Sequence, residues 1–170
     1  LAERLKLKAS AKRPEASETP PSVAGACETV ELADMDAVTA AREALRGGTA
    51  YVRTDNALSL VALYGGGTVT SDAQGAAYVL DASAFQGDYN AALRTLFDGS
   101  LSLVGHGVKD IMRGLLERGA SADGWTDDTM LMAYLLDATA GQYGLDRLCR
   151  KYGGFAIARA SSDAIEGEQL

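Results

Sequence analysis

Few side chains in this sequence stand where their types and spacing could do chemistry. The adjacent carboxylates Asp127 and Asp128 follow Trp125 and lead into an apolar run. One of them could bind a hard divalent cation through its oxygens. The better fit is a helix cap, with one carboxylate accepting the free N–H groups of a first turn. His106, the only histidine, lies between Gly105 and Gly107. It could serve as a general base at a strand end, but a lone histidine in a glycine-flanked turn fits a structural role better. Gly105-x-Gly107 is too short to cradle a phosphate, and no Walker or dinucleotide fingerprint occurs. There is no Ser or Cys nucleophile elbow. Cys27 and Cys149 are too far apart for a metal knuckle and too few for a disulfide framework. A reducing, cytoplasmic compartment fits them.

The 170 residues suit one domain plus a linker or tail. Hydrophobic residues make up 47% and charged residues 23%, enough for an ordinary core. No apolar run nears the roughly 18 residues that span a bilayer, so no membrane partner is expected. The opening Leu1-Ala-Glu-Arg-Leu-Lys lacks a start Met and a signal-type apolar stretch, and reads as an internal cut from a longer polypeptide. Residues 1–26 hold five of the 16 basic and three of the 23 acidic side chains, leaving a net −9 on residues 27–170. A region so acidic repels phosphate backbones unless it carries a local basic groove.

The elements that must position these groups follow from pattern. Residues 1–27 include Pro14, Pro20 and Pro21 among Ala, Ser and Glu, and read as a linker from a preceding domain. Globular patterning runs over 28–154. Thr29–Leu32 alternates as a strand, and Asp34 caps a helix to Leu45 that Gly47-Gly48 stops. Thr49–Thr54, Ala57–Tyr64, Thr68–Thr70 and Ala76–Leu80 are further strands, which with the first suggest an antiparallel meander. In Ala57–Tyr64 the alternation puts Leu58, Leu60, Ala62 and Tyr64 on one face, Val61 and Leu63 on the other. Helices are expected over Tyr89–Phe97, Val108–Arg118, Asp128–Leu136 and Leu145–Tyr152, with short strands at Leu101–Val104 and Gly124–Thr126. Met130, Leu131, Tyr134 and Leu135 would form the apolar face of their helix. Residues 155–170 show no period and read as a loose segment. The sum is an α/β domain: a mixed sheet with an antiparallel meander, flanked by helices.

The run from Trp125 to Tyr152, with its Asp128-Thr129 before a helix and a Leu145-x-x-Leu148 helix after a loop, closely resembles the proofreading 3′–5′ exonuclease domain of bacterial family A DNA polymerase I. Leu103-Val-Gly-His-Gly-Val-Lys109 resembles the same family's second motif, a strand-to-helix turn. The order of elements matches that family's ribonuclease-H-like fold, and the Pro-rich linker matches its tether to a 5′ nuclease. The similarity covers roughly Thr49 to Tyr152 and is strongest after Leu101.

That resemblance implies two-metal hydrolysis of a phosphodiester, with ions about 4 Å apart that activate water and stabilise the leaving oxygen. The family's carboxylates are an Asp-x-Glu on the first core strand, an Asp in the second motif's helix and an Asp in a late Tyr-x-x-x-Asp helix. Carried over, the first pair falls on Arg53 and Asp55. Alternation puts both on one face, where the guanidinium repels Mg²⁺ and neutralises Asp55, unless the two are an ordinary exposed pair. The second position falls on Ile111, inside the stripe Val108, Ile111, Met112, Leu115 and Leu116; Asp110 is rotated about 100° away, toward solvent. The third would lie downstream of Leu170, since Tyr51-x-x-x-Asp55 sits in a strand. The reading is therefore a vestigial exonuclease domain with no catalytic residue and no metal of its own. Its implied partners are the polymerase and 5′ nuclease domains of the same polypeptide, with DNA reached through the parent enzyme and Mg²⁺ serving that polymerase. Two alternatives stay open. One is an active enzyme with a site rearranged around Asp55, Asp110 and Asp128; the other is a non-polymerase binding module of ribonuclease D type.

Overall fold

The computed structural model describes residues 27–65, 75–154, 156 and 157. The chain order is β1 (Glu28–Glu31), α1 (Met35–Leu45), β2 (Thr49–Thr54), β3 (Leu60–Gly65), β4 (Ala76–Asp81), α2 (Tyr89–Leu96), β5 (Ser102–Gly105), α3 (Val108–Glu117), β6 (Trp125–Asp128), α4 (Thr129–Leu136) and α5 (Leu145–Leu148), which runs on into a π-helical turn (Cys149–Gly153). The strands form one six-stranded mixed sheet in the order β1-β4-β3-β2-β5-β6. The expected strand at Thr68–Thr70 lies outside the described residues, as do nearly all of the expected linker and tail.

Helix starts follow the chemistry of their caps. Asp34 accepts the Ala37 N–H at 2.9 Å before α1, and Asp88 accepts the Ala91 N–H at 3.1 Å before α2. One sheet face carries Ala50 and Val52 of β2, Val61 and Leu63 of β3, Leu80 of β4 and Leu103 of β5, all buried. They join one core with Val38, Ala41 and Leu45 of α1, Ala92, Leu93 and Leu96 of α2, and Ile111 and Leu115 of α3. Each large aliphatic side chain so buried contributes roughly 1.5–3 kcal/mol. The opposite face is far less covered: Tyr51 and Tyr64, paired in register across β2 and β3, are both exposed, with ring centroids 6.5 Å apart.

Three expectations need correction. The antiparallel meander holds for β2-β3-β4, but β1 pairs with β4 in parallel, Glu28 opposite Ala76. The inner edge of β2 is taken by β5, so the chain entering from β1 finds its free edge at β4. Strand β3 begins at Leu60, not Ala57, because residues 55–59 form a turn. Leu58 there has φ +53 and is buried, so it belongs with the core and not with Leu60. A left-handed leucine costs about 1–2 kcal/mol, which its burial and a 2.8 Å hydrogen bond from Tyr89 Oη to its carbonyl offset. Last, the supposed apolar face of α4 is not buried. Leu131 is 56% and Leu135 74% exposed, Met130 and Tyr134 are exposed too, and Ala133 alone of this helix is buried.

Candidate active site

The C-terminal end of β2, the 55–59 turn and the first face of α3 enclose a cleft of about 750 Å³. It brings together the three positions singled out in sequence: Arg53, Asp55 and Ile111 all line it, with His106, Asp110 and Met130.

Asp55 faces its own turn. One carboxylate oxygen accepts the Ser59 N–H at 2.8 Å and the Leu60 N–H at 3.0 Å; the other accepts the Ser59 hydroxyl at 2.5 Å. Partial desolvation pushes this carboxyl up, but the bonds from Leu60 and Ser59 outweigh it and hold it below its ordinary value. The turn is pinned from outside as well. Arg118 Nη2 donates to the Ala57 carbonyl at 2.6 Å, and Tyr89 holds Leu58. Burial, with the charge of Asp55 behind it, pushes the Tyr89 phenol up to about 12. These two supports escape sequence reasoning, because they lie 61 and 31 residues from their partners and leave no local pattern.

The expected neutralisation of Asp55 by Arg53 is not seen as an ion pair: none of the ion pairs within 4.0 Å among the described residues joins the two, and the carboxylate is bonded to its own turn instead. Ile111 is 8% exposed and packs in the core with Leu115. Asp110, one residue earlier, is exposed and ion-pairs with Arg113 at 3.4 Å, yet it lines the same cleft as Arg53 and Asp55, so the helical rotation does not take it away from the site.

Asp128 is not among the lining residues but bonds the backbone of two that are, Gly107 and Met130. Its Oδ1 accepts the N–H groups of Met130 at 2.8 Å and Leu131 at 3.4 Å, capping α4 as expected of one member of the 127–128 pair. The same oxygen accepts Gly107 N–H at 2.9 Å, and Oδ2 accepts Val108 N–H at 2.8 Å. The carboxylate therefore fastens the starts of two helices at once. Desolvation raises its pKa, the four backbone bonds lower it, and the bonds win. His106 is tied to the same junction: Nδ1 lies 2.9 Å from Thr129 Oγ1, which donates to the Gly105 carbonyl at 3.2 Å. Burial pushes the imidazole below its usual value; Asp128 opposes this and Arg53 reinforces it.

The resemblance seen in the sequence implies Mg²⁺, which takes several oxygen ligands in near-octahedral array. The donors present do not fit it. Asp55 accepts three bonds from its own turn, Asp128 accepts four from backbone N–H groups, and Asp110 pairs with Arg113, so no two of these carboxylates are set to share an ion. Among the described residues no three His, Cys, Asp or Glu side chains cluster to hold a metal ion. Nor, among them, is any helix long and apolar enough to cross a membrane.

No protein-family model matches this chain, and no curated protein matches it. Solved structures do. It is similar to the POL domain of Pol1 from M. smegmatis, in complex with DNA primer-template and dNTP, at 25% identity and TM-score 0.52, over 71% of this chain and 22% of that one. It is similar to a nuclease in its apo form at 20% identity and TM-score 0.55, over 79% of this chain and 63% of that one. It also aligns with Brucella melitensis NrnC bound to pGG, at 17% identity and TM-score 0.50, over 84% of this chain and 67% of that one. The fold is that of the ribonuclease-H-like exonucleases. The chain spans about a fifth of the length of the polymerase it matches.

Proposed function

We propose that this chain is the exonuclease-fold domain of a DNA polymerase I, that it has lost the 3′–5′ exonuclease reaction, and that it supports a DNA-synthesising polymerase architecturally. The observation that carries the reading is the cleft itself. A guanidinium and a core isoleucine stand at Arg53 and Ile111, two positions where the resemblance puts metal-binding carboxylates, and Asp55 is bonded into its own turn. The polymerase context is supported by the 25% identity to Pol1 and by the motif order in sequence. On this reading the partners are the polymerase and 5′ nuclease domains of the same cytoplasmic polypeptide, DNA is met through the parent enzyme, and Mg²⁺ belongs to that polymerase.

The test is direct. Purified chain is incubated with end-labelled single-stranded DNA and Mg²⁺ or Mn²⁺, and no shortening is expected. Degradation abolished by Asp55→Ala would overturn the reading. A second reading, a free-standing module of ribonuclease D type, draws on the nuclease neighbours, of which this chain spans 63% and 67%. Flanking coding sequence separates the two: a polymerase gene continues into palm, thumb and fingers.

A further inference from the structure

We propose that the Arg53 side of this cleft binds phosphate-type oxyanions directly, with no metal ion between. The inference rests on the reading that the cleft has no divalent-cation site. Metal-dependent chemistry on phosphates needs positive charge where the phosphate sits; here the guanidinium of Arg53 lines that end of the cleft. Among the three arginines lining it, Arg118 donates to the carbonyls of Gly114 and Ala57, and Arg113 pairs with Asp110. Arg53 is exposed and has neither a hydrogen bond nor an ion pair among the described residues. Its planar fork is therefore open to two parallel N–H···O bonds with a phosphate.

The neighbouring groups suit an anion better than a cation. The carboxylates of Asp55 and Asp110 already have partners, which leaves Glu117 as the opposing charge on α3. Leu58, Ile111 and Met130 make part of the wall apolar, which strengthens a local charge interaction. His106 lines the same cleft, close enough to sense the charge of Arg53; its ring is already bonded to Thr129 and to the Tyr143 backbone, so it reports on the site and is not itself a donor to the anion. The three arginines lining the cleft are balanced by Asp55, Asp110 and Glu117, Asp128 acts on His106 beside them, and residues 27–170 carry a net −9, so the long-range field opposes anions and only the local Arg53 contact favours them. The contact is short-range, weak and salt-sensitive.

His106 is the sole histidine, so its ring protons form an unambiguous NMR reporter. The chain is titrated in EDTA with inorganic phosphate, thymidine 5′-monophosphate or thymidine. Phosphate and the monophosphate are expected to move the His106 resonances saturably and raise its pKa; thymidine is not. Arg53→Gln, at an exposed side chain without bonds, should keep the melting temperature and weaken both ligands about tenfold, the loss for one charge-assisted pair. Arg113→Gln should change them less than about twofold. Equal affinity for phosphate and the monophosphate identifies a free-phosphate site; tighter monophosphate binding identifies a nucleic-acid end. No movement, or movement unchanged in Arg53→Gln, overturns the proposal. A separate arm adds Mn²⁺ alone: paramagnetic broadening of His106 would instead overturn the reading of a cleft without a metal site.

Discussion

Asp128 uses both carboxylate oxygens on backbone N–H groups, two at the start of α3 and two at the start of α4. A single helix cap is worth about 0.5–2 kcal/mol. Asp128→Ala removes two caps and strands partly buried donors, so a loss of about 2–4 kcal/mol is expected in urea unfolding. Asp127→Ala, at the exposed neighbour, should cost under about 0.5 kcal/mol. Sequence showed that one of this pair would cap α4. It did not show that the same side chain holds the 107–108 turn 20 residues away, because that contact depends on β5 and β6 lying side by side. Ile111 is the complementary case. Its place in an apolar stripe was legible from spacing alone, and the structure buries it to 8% exposure. Ile111→Asp therefore does not simply return a ligand to the cleft. It puts a carboxylate into packed core without a partner, and about 3–5 kcal/mol of stability should go with it. Calorimetric titration with Mn²⁺ should show no binding by this variant while Arg53 remains.

At the scale of elements, strands and helices were legible wherever a cap, a glycine stop or an alternation marked them. What was hidden is pairing and orientation. The direction of β1 depends on which sheet edge is free, which is a property of the assembled sheet. The 57–59 segment looks like strand because leucine alternation continues through it, yet the Asp55 side chain and the left-handed Leu58 turn it. For α4 the run Thr129–Leu136 is apolar all round, so periodicity cannot say which side faces inward. Because Leu135 is 74% exposed, Leu135→Gln should change stability by less than about 0.5 kcal/mol while lowering ANS fluorescence. A large drop in melting temperature would mean that α4 is covered in solution. The opposite behaviour is expected at Gly124, just before β6. Its φ is +87, and an added Cβ would meet the Leu101 carbonyl oxygen at 2.3 Å, a backbone atom that cannot step aside. Gly124→Ala should cost more than about 2 kcal/mol and loosen the β5–β6 edge, visible as faster amide exchange at Leu103, whose N–H bonds the Gly124 carbonyl.

Across the whole molecule the titrating groups push stability the same way on acidification. Asp55, Asp81, Asp88, Asp98, Asp128 and Asp137 are all held below the ordinary aspartate value, chiefly because their carboxylates accept bonds from turns, caps or cationic side chains. A depressed folded pKa gives stability that is present above the unfolded value near about 3.9 and lost as pH falls through the folded value. His106 is also depressed, so the unfolded chain takes up its proton first and a smaller loss begins near about 6.5. Tyr89 closes the other side. Its phenol is raised to about 12, so from about 10 upward the unfolded state ionises while the folded one does not, and stability falls again. Relief of charge repulsion toward the sequence pI of about 4.7 acts against the acid loss. It is spread over the surface, whereas each carboxylate bond is local and short. The expected profile is a plateau from about pH 7 to 10, a shallow step below it that His106→Gln removes, and a steep fall below about pH 4 that Asp128→Asn makes shallower. Tyr89→Phe should lower the plateau by the lost bond to Leu58 and flatten the alkaline limb. Chemical denaturation across this pH range checks all three limbs. A midpoint that rises continuously from pH 7 down to 3 would mean that surface repulsion, not the bonded carboxylates, governs the stability of the domain.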